Sequence, residues 1–304
     1  MAGGAGWILR QDAGGIHWTC GADRVRGEEP GEWLSRYLRL DDPLEKLEAE
    51  FGEEPVMRES LRALPGLRLI RQEPFECAVS FMFAQGLSVS VITQALEKFC
   101  GAFGRKIPAP REGLGSWVDF PEPADLAGLR PETLRPFVNN YRARGERVLK
   151  VAEAVTAGKL DLPGLRKAPF LDARRALLDL EGIGPKIADC ILLFSLDHLS
   201  AFPLDRWVLR ALARHYRPVR RWAGPKRGEA EREAPTRVQY AKLTTFALRR
   251  FGPRCGLASE YLFLFLRMRE DRRLREKLES YTPGFDPAWI AGPPKRAPRR
   301  KGGR

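Results

Sequence analysis

From Gly66 to about residue 290 the sequence is a succession of helical patterns, with no convincing alternating strand. Glycine and proline separate these patterns from one another. Such a chain buries its apolar stripes by packing helix against helix, so we expect a mainly α domain over residues 67–290. The expected helical segments are 74–83, 89–103, 125–128 as a short turn, 130–137, 141–157, 172–179, 185–196, 206–216, 236–251 and 258–278.

The first 66 residues have a different pattern. Two short β-prone runs, Trp7–Arg10 and Ile16–Cys20, are separated by Gln-Asp-Ala-Gly-Gly, which predicts a hairpin. Two strands are not stable alone, so the hairpin must pack on nearby helices or join a larger sheet. Apolar residues at helical spacing after Pro43 predict a helix there. We therefore expect a small α+β domain over residues 1–66.

The chain is strongly basic. Its 304 residues contain 52 Lys and Arg against 39 Asp and Glu, a net charge of +13, so the favoured partner is nucleic acid and, second, an acidic membrane surface. Residues 217–237 hold seven basic residues and three prolines, which predicts an exposed loop. Residues 291–304 hold six basic residues and no acid, which predicts a disordered tail. Without that tail the charge is still 13 − 6 = +7.

The five cysteines are scattered singly, without a CxxC pair, which indicates a reducing compartment and argues against an iron–sulfur cluster. The three histidines show no zinc-ligand spacing, so we expect no metal site. No secretory signal or membrane-spanning stretch is recognisable, so we expect no membrane association. The cysteines are Cys20, Cys77, Cys100, Cys190 and Cys255.

The most informative segment is a turn between two helical patterns. Gly182 and Gly184 flank one apolar residue, and Pro185 suits the first turn of the following helix. A helix N-terminus beside such a turn can bind an anion, here a DNA phosphate. The alternative is an ordinary corner between helices.

Two charged residues near this turn have both a structural and a chemical interpretation. Lys186, in the first turn of a helix, contacts a phosphate or acts as an amine nucleophile, since the helix end and partial burial both favour the neutral amine. Asp205 stands where an N-cap belongs. A carboxylate there could also stabilise the cationic sugar that develops as a glycosidic bond breaks.

These segments resemble a known family. LEGIGPKIADCILLFSLD followed by AFPLDRW is similar to the helix-hairpin-helix glycosylases of base-excision repair, with their GPD loop. The resemblance continues in LRLIRQEPFECAVSFMFAQ, in YRAR and in FGPRCGLASEYLF, and covers residues 60 to 268. Within the superfamily the sequence most resembles the 8-oxoguanine DNA glycosylases.

The resemblance implies roles for individual residues. Lys186 and Asp205 match the catalytic pair. Tyr141 matches the wedge inserted where the base leaves the stack, and Arg142 the residue that hydrogen-bonds the orphaned partner base. Cys190 and Phe263 match the two residues that sandwich the extruded base. Core packing is the alternative for Tyr141, Cys190 and Phe263.

The sequence also departs from this family. Ser259 stands where a glutamine reads the base, Trp207 where histidine is usual, and residues 85–88 where an asparagine cluster contacts the opposite cytosine. The segment that senses the oxidised base is missing, so we expect only the later part of the family's N-terminal domain within residues 1–66.

The expected activity is that of a bifunctional DNA glycosylase and apurinic/apyrimidinic lyase, acting on 8-oxoguanine opposite cytosine. We expect double-stranded DNA as partner, a monomer, and no cofactor beyond a possible structural cation at the hairpin turn. The expected location is cytoplasmic and nucleoid-associated in a bacterium, or nuclear in a eukaryote. The alternatives are an alkylated-base glycosylase and a non-catalytic DNA-binding module.

Overall fold

The computed structural model describes residues 2–115, 117–138, 142–223, 235–271, 274 and 276. Helices dominate, and the strands form two separate two-stranded antiparallel sheets within this part of the chain. The elements are β1 (Trp7–Asp12), β2 (Gly15–Cys20), α1 (Pro30–Tyr37), α2 (Leu44–Phe51), α3 (Pro55–Ala63), α4 (Pro74–Phe83), α5 (Val89–Phe103), β3 (Lys106–Ile107), β4 (Trp117–Val118), α6 (Pro123–Leu126), α7 (Pro131–Leu134), α8 (Arg142–Thr156), α9 (Leu162–Leu165), α10 (Phe170–Leu178), α11 (Pro185–Ser195), α12 (Arg206–His215), α13 (Arg217–Ala223), α14 (Arg237–Phe251) and α15 (Cys255–Glu270).

Contacts divide the chain into two units that alternate along the sequence. The first unit comprises Met1–Pro43, Arg68–Pro203 and Gly252–Gly256, and the second comprises Leu44–Leu67, Leu204–Phe251 and Leu257–Arg304. The predicted N-terminal domain, residues 1–66, therefore contributes to both units. The predicted domain limits themselves stay a prediction.

The predicted hairpin is present and packs on a helix. β1 pairs with β2 from Trp7 opposite Cys20 to Asp12 opposite Gly15. The Trp7 ring stacks on Trp33 of α1 with ring centroids 5.6 Å apart, and Trp33 stacks in turn on Tyr37 at 4.9 Å. These contacts supply the packing that an isolated two-stranded hairpin needs.

Two hydrophobic helices form the centre of the first unit. Helix α4 contacts α5, α8, α9 and α11, and it buries residues on all its faces. In α11, every residue from Ile187 to Leu193 is buried. A helix that is apolar all round must lie inside a domain, so α4 and α11 pack against each other. This packing holds the hairpin turn that precedes α11.

In the second unit, α13 packs between α12 and α14. The buried carboxylate of Glu54, just before α3, ties this group together. It accepts a 2.5 Å hydrogen bond from the Tyr216 hydroxyl and forms an ion pair with Arg250 of α14. Burial alone raises the pKa of Tyr216 above its usual range, so the hydroxyl stays a proton donor at neutral pH.

The structure corrects two expectations from the sequence. Residues 217–237 were expected to form one exposed loop, but the first seven form α13. Val219 of this helix is completely buried, and one buried anchor is enough to fold a short basic segment against its neighbours. The region expected to lack strands contains β3 and β4, whose two-residue pairing is too short to show alternation in sequence.

No helix in the described ranges is long and apolar enough to cross a membrane. The predicted tail, residues 291–304, lies outside the described residues, as does most of the predicted loop after residue 223.

Candidate active site

The turn that joins α10 to α11 requires glycine at one position. Gly182 has φ +92°, in the left-handed region that other residues adopt only with strain. A Cβ on Gly182 would clash with Cδ of Arg147. Gly184, in contrast, is extended, and a Cβ there would have open space around it. The fold therefore demands Gly182, while the space at Gly184 is available to a ligand.

Two side chains from elsewhere in the first unit hold this turn. The Gln85 amide donates a 3.2 Å hydrogen bond from Nε2 to the Gly182 carbonyl. Arg144 donates a 2.7 Å hydrogen bond from Nη2 to the backbone carbonyl of Gln85 and so fixes the backbone that carries the Gln85 side chain. Gln85 belongs to the segment that replaces the family's asparagine cluster. In this chain its side chain supports the hairpin turn.

On its outer side the turn carries an ion-pair cluster. Glu181 pairs with Lys150, and its Oε1 lies 3.6 Å from Nε of Arg147. The hydrogen bond and the charge of Lys150 lower the pKa of Glu181. Glu181 thus stays ionised and counters part of the positive charge beside the turn.

Lys186 is the second residue of α11 and its side chain is exposed. The partial burial expected from the sequence is therefore wrong, because the buried face of α11 begins only at Ile187. Pro185 occupies the first helical position, and Ala188 is the first residue to bond back to Gly184, at 3.0 Å. The backbone N–H groups of Lys186 and Ile187 precede the intrahelical bonds, so Lys186 lies at the electropositive helix end.

Helix α11 is fixed to α10 by a buried ion pair. Asp189 is 1% exposed, and Nε of Arg174 lies 2.6 Å from its Oδ1. Cys190 follows it and is buried as well. This burial agrees with the interpretation of Cys190 as a structural thiol, while its place in a base pocket stays a prediction.

Asp205 caps α12, as the sequence predicts. Its Oδ1 accepts a 2.7 Å hydrogen bond from the backbone N–H of Val208. The preceding backbone is held by Tyr240 of α14, whose hydroxyl accepts a 3.3 Å hydrogen bond from the N–H of Leu204. The Asp205 carboxylate therefore has a defined orientation at the start of α12.

Trp207, which stands where the family usually has histidine, has two guanidinium groups near its ring. Cζ of Arg206 is 5.7 Å from the ring centroid and Cζ of Arg210 is 5.1 Å away, both within cation–π distance. Arg210 also pairs with Glu270 at the end of α15, with Nη2 2.9 Å from Oε2. The first turns of α12 thus present an aromatic ring with positive charge next to Asp205.

The predicted pocket residues Ser259 and Phe263 lie one helical turn apart on α15. Ser259 is buried, and Phe263 is half-buried with Cζ of Arg267 5.4 Å from its ring centroid. Glu260 lies between them in sequence and was not among the predicted site residues. The sequence feature that could have drawn attention to it is that Glu260 is the only charged residue between Gly256 and Leu266.

The predicted site residues are divided between the two units. Gly182, Gly184, Lys186 and Cys190 belong to the first unit, whereas Asp205, Ser259 and Phe263 belong to the second. Tyr141 lies outside the described residues, as does the side chain of Arg142, whose backbone begins α8. The pairing of Lys186 with Asp205 stays a prediction.

Family models match most of this chain. The model for "HhH-GPD superfamily base excision DNA repair protein" matches residues 79–238, more than half of the sequence. The model for the N-terminal domain of 8-oxoguanine DNA glycosylase matches residues 1–78. The chain belongs to the HhH-GPD superfamily of base excision DNA repair proteins, and the helical fold predicted from the sequence is confirmed.

Individual relatives narrow the comparison. A probable N-glycosylase/DNA lyase of Methanothermobacter thermautotrophicus is 28% identical over 214 residues, 64% of this chain and 67% of the relative. An N-glycosylase/DNA lyase of Arabidopsis thaliana is 31% identical over 190 residues, 61% of this chain and 51% of the relative. The match thus spans about two thirds of the archaeal relative and half of the plant relative.

Two solved structures share the fold. The 8-oxoguanine glycosylase/lyase of Clostridium acetobutylicum, bound to double-stranded DNA with cytosine opposite 8-oxoguanine, has a TM-score of 0.67 and 21% identity over 87% of this chain and 88% of that chain. The 3-methyladenine DNA glycosylase of Archaeoglobus fulgidus has a TM-score of 0.65 and 22% identity over 86% and 82%.

Proposed function

We propose that this protein is a DNA glycosylase with apurinic/apyrimidinic lyase activity, with Lys186 as nucleophile. One observation carries the proposal: an exposed lysine stands in the first turn of α11, directly after a glycine turn that leaves open space at Gly184. Lysine gains nothing structurally at a positive helix end, so its position there favours a chemical role. The lyase names of the archaeal and plant relatives support the same activity.

The reaction begins when DNA binds and the damaged nucleotide leaves the stack. The lone pair of Lys186 Nζ forms a bond to C1′ of the sugar, the glycosidic bond breaks, and its electron pair leaves with the base, which takes up a proton. The attached nitrogen loses a proton, the C1′–O4′ bond breaks, and O4′ takes up a proton, so that the sugar ring opens and an imine forms. Removal of a proton from C2′ then expels the 3′ phosphate and nicks the strand.

Asp205 supplies negative charge at the sugar. Its carboxylate is held by the α12 cap, so little reorganisation is needed when positive charge develops on the sugar. We assign it the stabilisation of that charge.

The remaining residues serve binding. The N–H groups at the start of α11 take a phosphate, and the basic surface strengthens the attraction of DNA. Tyr141 fills the gap left by the extruded base, Arg142 bonds the orphaned partner base, and Cys190 and Phe263 enclose the base. The reaction needs no cofactor, and a cation at the turn around Gly182 would have a structural role only.

For the substrate we propose 8-oxoguanine opposite cytosine, with the protein acting as a monomer on double-stranded DNA at the nucleoid or in the nucleus. The matched 8-oxoguanine glycosylase N-terminal domain favours this lesion. An alkylated base is the second candidate, favoured by the similar fold of the archaeal 3-methyladenine glycosylase.

Borohydride trapping tests the proposal, because it reduces an imine to a stable protein–DNA adduct. The substrates are duplexes with 8-oxoguanine opposite each of the four bases, with 3-methyladenine, or with an abasic site. We expect an adduct that is strongest opposite cytosine, lost in Lys186→Gln and retained in the control Lys159→Gln, which alters another exposed lysine.

The other outcomes are equally specific. Trapping on the abasic site but on neither damaged base would keep the lyase and reject both lesions. Excision of 3-methyladenine alone would select the second candidate. DNA binding without trapping or nicking on any substrate would leave a non-catalytic DNA-binding module.

A further inference from the structure

One face of α15 carries a carboxyl group that the proposed reaction leaves unused. Glu260, Phe263 and Arg267 follow one another at spacings of three and four residues, so they lie on the same side of the helix. Arg267 covers the Phe263 ring, with Cζ 5.4 Å from its centroid. Glu260 thus lies one turn from Phe263 and next to Ser259, the two residues assigned to the base pocket.

The environment of Glu260 favours its neutral form. Burial, and then the charge of Asp205, raise the pKa of Glu260 to about 7, while Arg267 acts in the opposite direction. Asp205 at the start of α12 and Arg267 on α15 are the charged groups that act on it. Within the described residues, no side chain or backbone group hydrogen-bonds or pairs with the Glu260 carboxyl.

A neutral carboxyl group offers a hydrogen-bond donor and an acceptor on one planar group. A lactam edge, with an N–H beside a C=O, presents the matching acceptor and donor, as in guanine-type purines. The hydroxyl of Ser259 has a single oxygen for both roles, whereas a carboxyl group places its donor and its acceptor on separate oxygens. Burial of a hydrogen-bond donor and acceptor without a protein partner costs free energy unless a ligand forms those hydrogen bonds.

We propose that Glu260, in its protonated form, is a specificity-determining residue that reads the extruded base through two hydrogen bonds to a lactam edge. This inference rests on the proposed glycosylase function. It assigns the selection of the base to Glu260 and leaves the lyase chemistry to Lys186 and Asp205. Removal of the base should therefore make Glu260 irrelevant to strand nicking.

The test compares two activities of the same enzyme at each pH. The quantity compared is a ratio: the single-turnover rate of 8-oxoguanine excision opposite cytosine divided by the rate of nicking at a preformed abasic site. It is measured between pH 5.5 and 9. The division removes the pH dependence that the two reactions have in common. The variants are Glu260→Gln, a neutral isostere with donor and acceptor, Glu260→Ala, and Glu270→Gln as control for a lost negative charge on α15.

We expect the wild-type ratio to fall as the pH rises above about 7, because the acid loses its donor. Glu260→Gln should keep the ratio constant across this range. Glu260→Ala should lower it about ten- to hundredfold at pH 6, the loss expected for two hydrogen bonds to the base. Glu270→Gln should follow the wild type.

The inference is overturned if Glu260→Ala excises the base as fast as wild type while nicking is normal, or if the wild-type ratio rises through pH 7, which would assign recognition to the ionised carboxylate. Excision of 3-methyladenine in place of 8-oxoguanine would also contradict it, since that base lacks the lactam edge. If the wild type neither nicks nor traps an abasic site, the proposed function fails first. Thermal unfolding of each variant excludes misfolding as the cause, and Glu260→Gln provides the test if Glu260→Ala does not fold.

Discussion

At Gly182 and Asp205 a structural and a chemical requirement fall on the same residue. Gly182 combines a left-handed backbone with a close approach to Arg147, and it lies in the turn assigned to phosphate binding. Asp205 caps α12 with the same carboxylate that is assigned to the sugar. Substitutions that alter one requirement at a time can separate the two.

The first prediction concerns the hairpin glycines. Gly182→Ala should lower the free energy of unfolding by about 1–3 kcal/mol, because alanine is strained at this φ and its Cβ meets Arg147. Gly184→Ser should change it by less than about 0.5 kcal/mol, because serine is a good N-cap and has open space here. Urea unfolding measures both. Equal destabilisation of the two variants would contradict the assignment.

The second prediction separates the cap from the charge of Asp205. Asp205→Asn keeps an N-cap acceptor, so its unfolding free energy should stay within a few tenths of a kcal/mol, while excision falls at least tenfold. Asp205→Ala should lose about 1 kcal/mol as well as activity. Denaturation and single-turnover kinetics are the measurements. Full activity in a stable Asp205→Asn would reduce the residue to a cap.

At the scale of elements, a Glu-Pro pair marks the start of four helices. Glu29, Glu54, Glu73 and Glu122 each precede a proline at the first helical position. Proline forces the preceding residue into an extended conformation and needs no N–H partner. The carboxylates of Glu29 and Glu73 accept backbone N–H groups of the first turn.

This pattern predicts the effect of removing one cap. Glu73 accepts hydrogen bonds from the N–H groups of Phe75 and Glu76 at 2.9 and 3.0 Å. Glu73→Ala should lower the free energy of unfolding by about 1 kcal/mol, and Glu73→Gln by less, because its amide oxygen still accepts. Glu97→Ala, an exposed site within α5, is the control for urea unfolding. A loss that is the same in all three variants would reject the capping role.

At the scale of the whole molecule, the distribution of charge sets the response to pH and salt. The chain is basic overall, yet in the first unit two acidic groups, Glu73 and Asp119, act on a third, Glu76. Burial, and then the charges of Glu73 and Asp119, raise the pKa of Glu76 to about 7.

The raised pKa of Glu76 predicts how stability depends on pH. The folded state binds this proton more tightly than the unfolded state, whose ordinary value is 4.5, so the contribution is fully present below pH 4.5. It is lost as the pH rises through about 7. Glu76→Gln should therefore melt higher than wild type at pH 8 and lose this advantage at pH 4.5. Melting temperatures measured at both pH values check this, and an unchanged difference would refute it.

Removal of residues 291–304 takes away six positive charges. DNA binding should weaken by a similar factor on damaged and undamaged duplexes, and the plot of log affinity against log salt should become shallower. Fluorescence anisotropy at several salt concentrations measures both. An effect confined to one lesion would contradict a purely electrostatic tail.

Local sequence alone determined four features: the helices α4 and α5, the hairpin, the cap at Asp205 and the glycine turn before Lys186. The bounds of α4 and α5 match the prediction. Each depends on neighbours in sequence: alternation, helical spacing, a capping side chain or a glycine. Of these elements, α4, the glycine turn and the cap at Asp205 also carry motifs that lead to the superfamily.

Tertiary packing decided the rest. The helix at residues 217–223 depends on the burial of Val219, and the exposure of Lys186 depends on which face of α11 packs against α4. Gln85 finds its partner 97 residues away at Gly182, and Glu260 acquires its raised pKa from burial and from Asp205. Such properties come from groups distant in sequence, so no local pattern encodes them.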